Sequence, residues 1–111
     1  MNRPLFALFG LLMLGGLAAP AAAQEAKGAE VFTAQKCSVC HSIAGKGNPK
    51  GPLDGVGSKL TADQIREWIV DPVGMTAKQN ATRKPAMLAK YSSLPKEDLD
   101  ALVAYMVSLK K

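Results

Sequence analysis

The clearest apolar pattern in the chain is its last. Leu99, Leu102, Val103 and Met106 recur at i, i+3, i+4 and i+7, the stripe of a helix that buries one face. Pro95 opens this segment, Glu97, Asp98 and Asp100 fall in its first turns, and Lys110 and Lys111 follow its end. That charge order complements a helix dipole. A second helix is predicted behind Thr61-Ala62-Asp63-Gln64, a capping box in which Thr61 is the N-cap and Gln64 answers three residues later. It puts Ile65, Trp68 and Ile69 on one face and stops at Asp71-Pro72. A third runs from Ala26 to about Val39, with Gly28, Val31 and Phe32 on a shared face. Glycine costs a helix about 0.5–1 kcal/mol relative to alanine, so Gly28 is expected where another helix approaches closely.

Between these segments the period is lost. Gly45-Lys46-Gly47-Asn48-Pro49-Lys50-Gly51-Pro52 is made of turn residues and is expected to be neither helix nor central strand. Leu53 anchors it, and Asp54-Gly55-Val56-Gly57 makes a further turn. A loop of this length fits a wrapping role better than that of a plain connector. Val73 to Lys84 is polar and irregular and is expected to be a loop. The predicted fold is therefore all-α, with three main helices and long loops.

The first 23 residues read differently. Arg3 precedes the apolar stretch Leu5 to Leu17, and Ala21-Ala22-Ala23 offers a small-residue cleavage site, the layout of a secretory signal peptide. The rival is an uncleaved anchor, since Pro4 to Ala23 approaches the roughly 20 residues that span a bilayer. Gly15, Gly16 and Pro20 interrupt it. The expectation is cleavage after Ala23, export to the periplasm, and one domain over residues 24–111 with no membrane span. Of the 111 residues, 14 are Lys or Arg and 9 are Asp or Glu, and only Arg3 leaves with the leader. The remaining basic balance favours docking onto acidic surfaces. Three Phe, two Tyr and one Trp are too few to suggest nucleic-acid binding.

The chemistry is concentrated in Cys37-Ser38-Val39-Cys40-His41. C-x-x-C-H is the attachment signature of a c-type haem. Two thiols three positions apart reach the two vinyl groups on one edge of the macrocycle, and His41 then offers an axial nitrogen. The chain has two Cys and one His in all, which is too few for a structural zinc site. A thioredoxin-like site would need a βαβ setting that the pattern lacks. A second axial ligand from the protein cannot be histidine, and methionine is a standard partner. Met75, Met87 and Met106 are the candidates, with Met106 assigned to the core stripe of the last helix. Trp68 is read as core filler whose indole N–H, if buried, needs an acceptor such as a haem propionate.

In the order of these features, residues 24–111 resemble a class I (monohaem) c-type cytochrome. Gly28 and Phe32 match the family's first helix, and Leu102, Tyr105 and Met106 lie on its last. Gly51-Pro52-Leu53-Asp54-Gly55-Val56-Gly57 is similar to the family's G-P-x-L-x-G-x-G segment. The resemblance implies a cytochrome c-like fold around one covalent haem c. It also implies a Pro52 carbonyl that accepts a hydrogen bond from His41, and a Leu53 side chain against the haem face. Met87, after Pro85 and before Tyr91, Leu94 and the last helix, matches the ligand loop. Met75 is the second choice.

With His41 and a methionine on the iron, both axial positions are filled. The expected function is then a single-electron carrier in a periplasmic respiratory chain, monomeric and not an enzyme. Lys46, Lys50, Lys84 and Lys90 flank the loops that would border the haem edge. Expected partners are redox proteins with acidic docking surfaces: an oxidase, a reductase or a dehydrogenase. The alternatives are a cytochrome c subunit of a larger redox enzyme, a haem enzyme or sensor with an open sixth site, and a metal-free disulfide domain.

Overall fold

Gly28 decides how the first and last helices meet. The computed structural model describes residues 20–83 and 85–111. In it α1 (Ala21–Ala34) crosses α5 (Lys96–Ser108) with Gly28 at the contact. A Cβ at Gly28 would lie 2.1 Å from the Ala101 carbonyl oxygen and 2.5 Å from the Tyr105 Cβ, so no larger residue fits this crossing. One turn on, the rings of Phe32 and Tyr105 meet edge to face at 6.1 Å and 78°, a geometry that adds about 0.5–1.5 kcal/mol beyond burial. Val31, Phe32, Leu102, Val103 and Met106 are buried between the helices and their neighbours. Lys27 reaches Glu97 and Asp98, each at 3.5 Å, across the same crossing. These exposed pairs add little stability.

The capping box forms as the sequence predicts. The Gln64 N–H donates to Thr61 Oγ1 at 3.2 Å, and the Thr61 N–H donates to Gln64 Oε1 at 2.9 Å. The helix it opens, α3, spans Ala62–Val70 and turns Ile65 and Ile69 into the core. Arg66 on the same helix binds Asp100 of α5 at 2.7 Å.

Three expectations change, and the glycine-rich loop gains a short hairpin without any central strand. Residues after Val73 do not begin a loop: α4 spans Pro72–Lys78. Asp71 caps it by accepting the Gly74 N–H at 3.0 Å, and Pro72 occupies the first turn, where its missing N–H costs nothing. The first helix does not reach Val39. It stops at Ala34, Lys36 takes a left-handed φ of 57°, and Cys37–Val39 form a separate 3₁₀ turn. The glycine-rich loop contains a short hairpin of β1 (Ser42–Ile43) and β2 (Lys46–Gly47), antiparallel, turning at Ala44 and Gly45 with φ of 51° and 79°. A one-turn helix, α2 (Val56–Lys59), follows where only a turn was expected, and the Gly57 N–H ties it to the Leu109 carbonyl at 2.9 Å.

Beyond α4, residues 79–83 and 85–88 are irregular, and a 3₁₀ turn at Ala89–Ser93 follows, which buries Tyr91. Most of the expected leader, residues 1–19, lies outside the described residues, as does Lys84. Among the described residues no helix is long and apolar enough to cross a membrane.

Candidate functional site

The loops and α3 leave a cleft of about 590 Å³ over the core, within the roughly 300–1,000 Å³ usual for cofactor sites. Its walls are mostly apolar. It brings together Cys37, Cys40 and His41 from the motif turn, Met87 from the segment before Tyr91, and Leu53 and Trp68.

Local hydrogen bonds shape the motif turn. The Cys40 and His41 N–H groups both donate to the Cys37 carbonyl, at 3.1 and 2.9 Å. That single tight turn brings the two thiols to one side, and both cysteines are free. Burial pushes the Cys37 thiol up from its ordinary value, against the smaller downward pull of its backbone hydrogen bond and of Lys90.

His41 is half-buried, and its Nδ1 lies 3.1 Å from the Gly51 carbonyl. A carbonyl can only accept, so the proton sits on Nδ1 and Nε2 carries the free lone pair. This corrects the expectation for Pro52: the acceptor is the preceding residue, Gly51. Gly51 is buried so tightly that a Cβ there would stand 2.0 Å from the Cys40 carbonyl oxygen and 3.1 Å from His41 Nδ1. Burial also holds His41 below its usual pKa, with the Gly51 hydrogen bond opposing and the Arg83 charge reinforcing the shift. A neutral imidazole is the form that binds a metal. Two thiols one turn apart, an oriented imidazole and an apolar cleft of this size fit a haem.

The other predicted residues divide. Leu53 and Met87 line the cleft, and Met87 is half-buried there. Pro52 does not. It borders a smaller hollow of about 380 Å³ that Met75 also lines, with Trp68 standing between the two spaces and touching both. Met75, the second choice for the sixth ligand, is 3% exposed and packed by α4 away from the cleft. The unforeseen α4 turns it inward, so it does not face the cleft that gathers Cys37, Cys40, His41 and Met87. Met106 reaches the cleft from α5 but is 5% exposed in the core stripe. Of the lysines expected near the haem edge, Lys50 lines the cleft, Lys90 stands over the Tyr91 ring at 5.4 Å, and Lys46 is exposed on β2.

Sequence reasoning missed Asn48, Arg83 and Lys36, all of which border the cleft. Only Asn48 carried a signal, as an Asn before a proline in a turn-rich segment.

The family model for cytochrome c matches residues 25–110. Among curated proteins, the cytochrome c oxidase subunit 2 of Alkalihalophilus pseudofirmus is 27% identical over 93 residues, covering 76% of this chain and 25% of that protein. The chain therefore spans about a quarter of that relative's length. No solved structure gives a significant match.

Proposed function

This chain belongs to the cytochrome c family, a family of haem-based electron-transfer proteins, and from that premise we propose that it is a single-electron carrier of a periplasmic respiratory chain. Cys37 and Cys40 would hold one haem c by thioethers, and His41 Nε2 and the Met87 sulfur would hold its iron. Haem, when bound, supplies a reversible one-electron change at its iron. The protein's part is to hold it, to exclude water and to keep the ligands fixed. A thioether favours the ferrous state and raises the potential, while a basic imidazole opposes it. With His41 and Met87 both holding the iron, no site would remain open to oxygen or peroxide, which favours carriage over catalysis.

The observation that carries this reading is the gathering of both thiols, the oriented imidazole and Met87 on one apolar cleft. The leader-like pattern of residues 1–23 supports export. Lys36, Lys50 and Arg83 at the cleft support docking onto acidic redox proteins.

A second reading has its own support. The match to an oxidase subunit of which this chain covers only 25% favours a role as the cytochrome portion of a larger redox enzyme. Stoichiometric co-purification with a membrane-bound oxidase would favour that reading, whereas a free monomer favours the carrier.

The test is the intact mass of the exported protein under denaturing conditions. The expected mass exceeds the polypeptide by one haem, and Cys37→Ala with Cys40→Ala abolishes the excess. A wild-type mass equal to the bare polypeptide overturns the reading.

A further inference from the structure

A single side chain ties the motif turn to the loop that orients its histidine. The Asn48 N–H lies 3.1 Å from both the Ser38 and the His41 carbonyl oxygens, and Asn48 Nδ2 donates to the Val39 carbonyl at 3.0 Å. Its Oδ1 accepts the Lys50 N–H at 2.9 Å, and its own carbonyl accepts the Gly51 N–H at 3.1 Å. Gly51 completes the circuit, because its carbonyl accepts from His41 Nδ1 at 3.1 Å and from the Ser42 N–H at 3.0 Å.

Chemistry selects the side chain. The bridge to Val39 needs a donor and the turn at Lys50 needs an acceptor, both at the end of one short stem. A carboxamide offers both; alanine offers neither, and serine is too short to span them. The preceding Gly47 is equally constrained, at φ 107° with a would-be Cβ only 2.2 Å from the His41 carbonyl oxygen. Gly47, Asn48 and Gly51 are therefore held against the motif turn, and Asn48 is the side chain that fastens them.

We propose that Asn48 is a positioning residue for the His41–iron bond, acting through the Gly51 carbonyl. The proposal rests on the carrier reading, in which His41 binds the iron. A hydrogen bond on the far nitrogen of a metal-bound histidine raises its basicity as a ligand. Greater basicity favours ferric over ferrous iron. Loosening residues 48–51 weakens that bond, so the midpoint potential rises.

The experiment compares the haem-loaded wild type with Asn48→Ser and Asn48→Ala, both uncharged. Serine keeps a short acceptor for the Lys50 N–H and loses the bridge to Val39, while alanine loses both. The expected order of midpoint potential is wild type, then Asn48→Ser, then Asn48→Ala highest, with faster solvent exchange of His41 Nδ1–H in the same order. A merely structural role lowers the unfolding midpoint of both variants and leaves potential and ring exchange unmoved, which overturns the proposal but not the carrier reading. If neither variant folds with haem, exchange in the wild type decides: slow exchange of Asn48 Nδ2–H and His41 Nδ1–H is expected, and rapid exchange of either overturns the proposal. A wild type without haem removes the carrier reading itself.

Discussion

The two sides of this small protein are held together by different means. On one side α1 and α5 lock through a glycine that admits no Cβ, an edge-to-face aromatic pair and a continuous buried stripe. That side is packed by contacts within the protein, although Phe32, Leu102 and Met106 also border the cleft. On the other side, residues 79–83 and 85–88 are irregular and largely exposed, with Leu88 at 58% exposure and Met87 turned to the cleft. Across the cleft, Val39 of the motif turn is 66% exposed. Val39 and Leu88 therefore find few partners in the chain itself, while Met87 packs partly against the core. The contrast separates a frame packed largely on its own contacts from a face shaped to close on something flat and apolar.

The frame should be the more fragile to added volume. Gly28→Val would improve helix propensity by itself, since glycine costs an isolated helix about 0.5–1 kcal/mol. The clash with the Ala101 backbone dominates, and denaturant unfolding should show a loss well above about 3 kcal/mol. A neutral or stabilising result would mean that the crossing is not the frame.

Met75→Ala is next. It empties a buried position beside the smaller hollow, away from the cleft, and should cost at least about 2 kcal/mol in the same unfolding experiment. It should leave the axial ligation intact, read as an unchanged visible spectrum. Loss of the ligand signature in this variant would move the sixth ligand from one region to the other.

The smallest effect is electrostatic and belongs to the frame. Hydrogen bonds from Lys96 and then Arg66 hold the Asp100 carboxyl below its usual range. A depressed carboxyl pKa in the folded state means that the unfolded chain takes up its proton first as pH falls. The stabilisation is therefore fully present above the ordinary carboxylate range, and is lost as pH drops through the lowered value. Unfolding midpoints followed from about pH 5 downward should fall more gently in Asp100→Asn than in wild type. Identical slopes would show that the pair contributes nothing.

The same division governs what could be read from the chain alone. The frame was legible because helix packing writes itself periodically: the stripe ending in Met106, the Thr61 and Gln64 box, and an out-of-place Gly28 each have one physical meaning. The attachment motif was legible because its chemistry demands that spacing. The sixth-ligand side was less so. Helix α4 is seven residues long, too short for a period, and its only announcement was Asp71 before Pro72, which also reads as the end of α3. Without α4 there was no means of seeing that Met75 turns inward. The carbonyl that meets His41 was misplaced by one residue, since Gly51 and Pro52 differ in backbone direction, which composition does not encode. Asn48 was hidden because its bonds join parts of a loop with no repeat.

The central claim is that Met87 and His41 close both faces of one haem on this cleft. Optical spectra of the haem-loaded protein, oxidised and reduced, test it most directly when wild type and Met87→Ala are measured together. The account predicts a low-spin c-type spectrum with the weak long-wavelength band of a methionine–ferric iron bond, present in wild type and absent in Met87→Ala. A high-spin wild-type spectrum, or a band that survives Met87→Ala, would contradict it.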